Sequence, residues 1–299
     1  MSLTLPSNVE HIERSGIPLS ALADQELGPL MRTLATRLID LHRSSAGGVT
    51  FPVNCKAVSI HRKVLAINEN ANMREHAGSL VPVKGGFYIA IRREDPASRR
   101  RWTVAHELGH TYFFDITAPT PLPNILEHSN GVERSCDSFS SELLMPQWSV
   151  GNRAHQINLK FEHSSLEEDA SYYGVSVQAL MIRIRQLDRF RSLTRFILLF
   201  ENVPNRVSGF ARKPRVTASL VARDSGFYIP TNIGADKLGL SGPSHLFQND
   251  SEFLIGHETV SLWSNRSGKF AKTIVPCSAR YKLYRAADHA SVVGLFEIA

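Results

Sequence analysis

Cysteine is scarce in this chain. Three residues in 299, Cys55, Cys136 and Cys277, stand far apart, form no CxxC pair and leave one over from any disulfide. A disulfide-stapled secreted fold is a poor match to that count, and a reducing compartment suits it better. Long apolar runs are missing as well, since the longest, such as Phe196 to Phe200, are far too short to span a bilayer. The opening MSLTLPSNVEHIERSG lacks a basic segment followed by an apolar stretch, so it does not read as a secretory signal. Internal repeats and low-complexity segments are absent too. These absences together predict a cytoplasmic protein with no membrane partner. What remains is ordinary globular text, 42% apolar, 21% charged and 8% aromatic. That composition and length suit roughly two domains and exclude disordered, collagen-like and coiled-coil chains.

Charge is mildly one-sided. Lys and Arg number 34 against 28 Asp and Glu, a formal charge of +6. Such an excess suits an acidic partner or nucleic acid. Most of it sits late in the chain, where Arg195 to Ala299 hold 13 Lys and Arg against 8 Asp and Glu. An anionic small-molecule ligand of that region is the corresponding expectation.

Organisation follows from periodicity. Leu27, Leu30, Met31, Leu34, Leu38 and Leu41 recur at spacings of three and four, which predicts an amphipathic helix over Leu22 to Leu41, ended by SSAGG. A short helix is expected after Pro52, with Ala57, Val58 and Val64 on its buried side. Ala77 to Ile91 reads as two strands joined at Gly85-Gly86. Helices are expected over Arg99 to about Phe114 and over Gly131 to Leu144, the second stopped by Pro146. From Leu166 to Leu187 two short helices around Gly174-Val175-Ser176 fit a helix-turn-helix. Beyond Thr194 come short β-like runs: FILLF, ASLVA, GFYI, EFLIG, TVSLW and SVVGLFEI. The expected organisation is α+β, with one domain over 1–155, a helix-turn-helix-like segment over 156–193 and a β-rich domain over 194–299.

The chemistry is concentrated in RRRWTVAHELGHTYFF. His106 and His110 are four apart, so on a helix both imidazoles leave one face and can reach one tetrahedral metal. Glu107 is turned about 100° from His106, close enough to a bound water to deprotonate it without being a ligand. This is the HExxH arrangement of zinc-dependent peptidases. A metzincin would place glycine at 113 and histidine at 116; Phe113 and Ile116 stand there, which excludes that class. A third ligand is required, and the helix from Gly131 offers Glu133, with Asp137 four residues on positioned to hold a ligand histidine's ring proton. His128 and Asp137 are the alternative third ligands. Zinc is the expected cofactor, and the same donors accept Mn2+ or Fe2+. A structural zinc would close its fourth position and leave Glu107 without a use, which favours an enzyme. The strand Phe87 to Ile91 is a candidate for pairing with an extended substrate, and Tyr88 is a candidate oxyanion stabiliser, set against the reading of an ordinary half-buried strand tyrosine.

The order of these features, GFYIAIRRED, then RRRWTVAHELGHTYFFD, then ERSCDSFSSELLMP, resembles the ImmA/IrrE family of metallopeptidases. The matching positions are His106, Glu107, Gly109, His110, Glu133, Asp137, Phe139, Leu143, Leu144, Met145 and Pro146, with Cys136, Ser140 and Ser141 replacing the family's alanines. The resemblance covers about Pro52 to Pro146. It implies a small zincin-like peptidase core that cuts a helix-turn-helix transcriptional repressor and so derepresses stress-response or mobile-element genes. In the radiation-response branch it also implies a GAF-like sensor domain at the carboxyl end.

Two rival readings come from other classes. In one, the chain is a DNA-binding regulator whose Arg183, Arg185, Arg189 and Arg191 face phosphates. In the other, it sequesters its repressor without cutting it. Arg99, Arg100 and Arg101 read either as solvated surface or as a clamp for a substrate carboxylate. Cys136, between Glu133 and Asp137, reads either as a buried thiol or as an oxidant sensor.

Overall fold

A computed structural model describes residues 9–17, 24–71, 73, 76–124, 130–204, 212–222, 225, 227–249, 251–266, 269–285 and 290–299. The chain divides into two compact units, Met1–Pro146 with Ser171–Ser176, and Gln147–Ala170 with Val177–Ala299. It is a mixed α+β protein. No described helix is long and apolar enough to cross a membrane.

In the first unit, helices α1 (Val9–Ser15), α2 (Asp24–Ala46) and α3 (Cys55–Ser59) precede strand β1 (Val64–Asn70). The predicted stripe of α2 is buried at Leu27, Leu30, Met31, Leu34 and Leu38, whereas Leu41 is exposed near the helix end. Asn54 caps α3 by accepting from the Ala57 amide at 3.1 Å. The expected helix after Pro52 is shorter than predicted: Val64 begins β1, because Lys63 takes a left-handed turn with φ 56° and redirects the chain. Strands β2 (Gly78–Val83) and β3 (Gly86–Arg92) form the predicted hairpin.

The sheet order is β1-β3-β2, with β3 parallel to β1 and antiparallel to β2. This corrects one expectation. Phe87 to Ile91 lies in the central strand, its backbone groups engaged on both sides, so it offers no free edge to a substrate. Helix α4 (Ala97–His110) follows and continues as a 3₁₀ turn over Thr111–Phe113, after which β4 (Phe114–Asp115) pairs with β5 (Leu122–Pro123). Helix α5 (Asn130–Leu144) closes this unit at Pro146 and packs against α2 and α4.

After Pro146 come α6 (Gln147–Lys160), which the sequence did not announce, then α7 (His163–Tyr173) and α8 (Val177–Gln186). The last two flank Gly174, whose φ of 64° makes the predicted turn. The remaining strands are β6 (Arg195–Pro204), β7 (Arg212–Val221), β8 (Phe227–Tyr228), β9 (Phe253–Arg266), β10 (Lys269–Arg285) and β11 (Ala290–Ile298), with helix α9 (Gly242–Asn249) before β9. They form one antiparallel sheet in the order β7-β6-β11-β10-β9-β8. Phe196, Leu198, Phe200, Val260, Leu262, Tyr281 and Phe296 build the core on one face. On the other face, helix α7 is tied down by His163, whose Nε2 meets the Val293 carbonyl at 3.0 Å, and by Glu167, which accepts from Lys282 and Tyr284 at 2.6 Å each.

Candidate metal centre

Two i, i+4 pairs face each other from adjacent helices. On α4, His106 and His110 project from one face with ring centroids 4.9 Å apart. On α5, Glu133 and Asp137 point back at them. Close approach of the two helices depends on Gly109, where an added Cβ would lie 3.3 Å from the Cα of Cys136. Tyr112 and Phe139 fill the space beside that crossing, their rings 5.4 Å apart.

The donor atoms converge. His106 Nε2 lies 3.1 Å from Glu133 Oε2 and 3.1 Å from His110 Nε2, and His110 Nε2 lies 3.5 Å from Glu133 Oε1. Ligands bound tetrahedrally at 2.0–2.1 Å are about 3.3 Å from one another. The observed separations suit such a set, and all three donors lie within 4.8 Å of one another. The charge pattern agrees. His106 Nδ1 is 3.0 Å from Asp137 Oδ1, so in the neutral ring that nitrogen carries the proton and Nε2 turns a lone pair toward the Glu133 carboxylate. Two acceptors at that distance require a cation or a proton between them.

Electrostatics around the site is uneven. Burial, the largest influence, disfavours the charged form of His106. The hydrogen bond and charge of Asp137, followed by the charges of Glu107 and Glu133, outweigh it and raise the ring's pKa. Glu107 is 8% exposed; burial first, offset by His106 and reinforced by Glu133, raises its carboxyl to about 7. A carboxyl held there exchanges a proton near neutrality. Cys136 is fully buried and its thiol is pushed well above the ordinary range, by burial and then by Glu133, Glu107 and Asp137. The thiolate that an oxidant sensor needs is therefore disfavoured at this position.

The other sequence candidates are placed as follows. Tyr88 is 42% exposed. Alternation along β3 puts it on the face opposite Phe87, Ile89 and Ile91. Ile91 pairs with Gly78, and Gly78 faces Glu107 and Thr103, so Tyr88 belongs to the sheet face turned away from Glu107. His128 lies outside the described residues. The arginine run is engaged locally: Arg99 with Asp95 at 3.4 Å, Arg100 with Glu69 at 3.6 Å, and Arg101 donating to the Val53 carbonyl at 2.8 Å. Arg183 is only 1% exposed, so it cannot face DNA phosphates as that rival reading required.

Two residues of this region were not singled out from sequence. Gly78 in β2 has no side chain because one would collide with the site: its Cβ would fall 2.4 Å from Thr103 Cγ2 and 2.6 Å from Glu107 Oε1. Arg62, 3% exposed, anchors the end of α4 by donating to the Thr111 hydroxyl at 3.1 Å and to the Thr111 carbonyl at 2.9 Å. Its guanidinium also lies over the Tyr112 ring, 3.9 Å from the centroid. A cation at a helix carboxyl end suits both the unpaired carbonyls and the helix dipole. Neither residue carries a local signal, since the partners are 29 and 49 positions away.

An α+β unit with HExxH on one helix and a carboxylate pair on the next is the arrangement of a metallopeptidase-type domain. Residues 71–185 match the family model described as the IrrE N-terminal-like domain, Peptidase_M78. The match begins later than the Pro52 expected from motifs and runs on through α7 and most of α8. No curated protein matches the chain. A solved structure described as a Mycobacterium tuberculosis transcriptional regulator is similar at TM-score 0.45 and 12% identity, over 90% of this chain and 75% of that one.

Proposed function

We propose that the chain is a metal-dependent endopeptidase, zincin-like in its site, that cleaves a helix-turn-helix transcriptional repressor and thereby derepresses stress or mobile-element genes. The observation that carries the peptidase part is the convergence of His106, His110 and Glu133 with a buried Glu107 beside them. The repressor as substrate and a GAF-like sensing role for residues 194–299 come from the resemblance to the ImmA/IrrE family, and the cytoplasmic location is the expectation from scarce, unpaired cysteine.

His106, His110 and Glu133 would hold the ion, zinc first and Mn2+ or Fe2+ as alternatives. When bound, the ion supplies Lewis acidity that makes water a better nucleophile and polarises a peptide carbonyl. Asp137 fixes the tautomer and orientation of His106 by accepting its Nδ1 proton. Glu107 accepts a proton from the attacking water and delivers it to the departing amine, so it must be a carboxylate at one moment and a carboxylic acid at the next. Burial that brings its two forms close in energy serves that exchange.

The test is cleavage of a candidate repressor by the purified full chain. Wild type should cut it into defined fragments. Glu107→Gln should bind metal and repressor without cutting, and the double variant His106→Ala, His110→Ala should lose metal. Relief of repression by Glu107→Gln equal to wild type would show that hydrolysis is not the mechanism.

A further inference from the structure

The second unit holds a cavity unrelated to the metal centre. Strands β7 and β8 are the two ends of the six-stranded sheet, and the segment that follows β8 runs back against β7. Val216 of β7 donates to the Ile233 carbonyl at 2.9 Å and accepts from the Asn232 amide at 2.7 Å. Further along, the Ser219 hydroxyl reaches the Ile229 carbonyl at 3.4 Å. Among the described residues the two end strands make no ladder with each other. Such a near-closure leaves a seam.

At that seam, under the end of α8, lies a cavity of about 440 Å3. Small-molecule sites run to roughly 300–1,000 Å3 and combine apolar walls with a few placed polar groups. Three aromatic side chains, Phe190, Phe227 and Tyr228, line this one. Two charged groups do as well. Asp188 is answered by Arg191 at 3.3 Å, whereas the Arg185 guanidinium, on an exposed side chain, makes no hydrogen bond or ion pair among the described residues. The unanswered charge is therefore positive and takes the form of a guanidinium fork, which matches a carboxylate.

We propose that this seam cavity binds a small aromatic carboxylate, its ring among Phe190, Phe227 and Tyr228 and its carboxylate on Arg185. The site goes beyond the peptidase reading and stands or falls independently of it.

The test is titration of the full chain with naphthoate and with its uncharged analogue naphthamide, followed by calorimetry. Naphthoate should bind saturably and at least about tenfold more tightly than naphthamide. Arg185→Met keeps the stem of an exposed residue and removes the charge; it should weaken naphthoate roughly tenfold and leave naphthamide unchanged. Val221→Trp, which fills the cavity, should abolish naphthoate binding, and unchanged binding there would place the ligand elsewhere. Absence of saturable naphthoate binding, equal affinity for the two compounds, or unaltered naphthoate affinity in Arg185→Met would overturn the proposal.

Discussion

Glu107 is a carboxyl almost without water, and its properties follow from that. Replacing it with glutamine keeps the volume and removes the proton acceptor, so cleavage should fall by about 10²–10⁴-fold while metal binding persists. Single-turnover cleavage together with metal titration checks both halves. Asp137 acts one bond further out. Asp137→Asn should weaken metal affinity by about 10–100-fold, measured by competition with a chromophoric chelator, because His106 loses the acceptor that orients it. Gly78 acts by being small. Gly78→Ala would set a methyl 2.6 Å from Glu107 Oε1, and the displaced carboxylate should cost about 10²-fold in turnover with metal affinity retained. A loss of metal affinity equal to the loss of turnover would instead mean that the whole helix had shifted.

At the scale of elements, two contacts do unusual work. Helix α4 is held at its end by Arg62 and along its side by α5, which is why three side chains from two helices share one point. On the second unit, α7 is fastened to the sheet by His163. Burial, first among its influences, lowers the pKa of this imidazole, with Arg280 and Lys282 acting the same way against the Val293 carbonyl and Glu167. A histidine depressed in the folded state binds its proton more readily when unfolded. Stability is therefore full above the ordinary value of about 6.5 and is lost as pH falls from there through the folded value. His163→Gln should flatten that slope in urea denaturation between about pH 5 and 7. An unaltered slope would assign the acid sensitivity to other groups.

For the whole molecule, metal and stability are linked. An ion that binds only the folded state at a hundred times its Kd adds about 2.7 kcal/mol, so chelation should lower the melting temperature of the wild type. The double variant His106→Ala, His110→Ala should melt at one temperature with or without zinc. The two-unit division also bears on how much could be read in advance. The sequence identified the hairpin, α4, α5, the Gly174 turn and most strands of the tail, because each depends on neighbours within a few positions. It missed α1, α6, α9 and β10, and it placed Val64 in a helix, because those choices are made by what the segments pack against.

The site divides along the same line. His106, Glu107 and His110 were legible because a helix places residues four apart on one face, and Glu133 with Asp137 were legible for the same reason on α5. That local rule also excluded the metzincin spacing. The meeting of the two pairs was an inference from sequence and became a set of distances only with the fold. Gly78, Arg62, the central position of β3 and the orientation of Tyr88 were decided by tertiary structure alone. Strand order and close approach between distant segments depend on long-range packing, and a chain read in one dimension contains no distance between residues 29 or 49 positions apart.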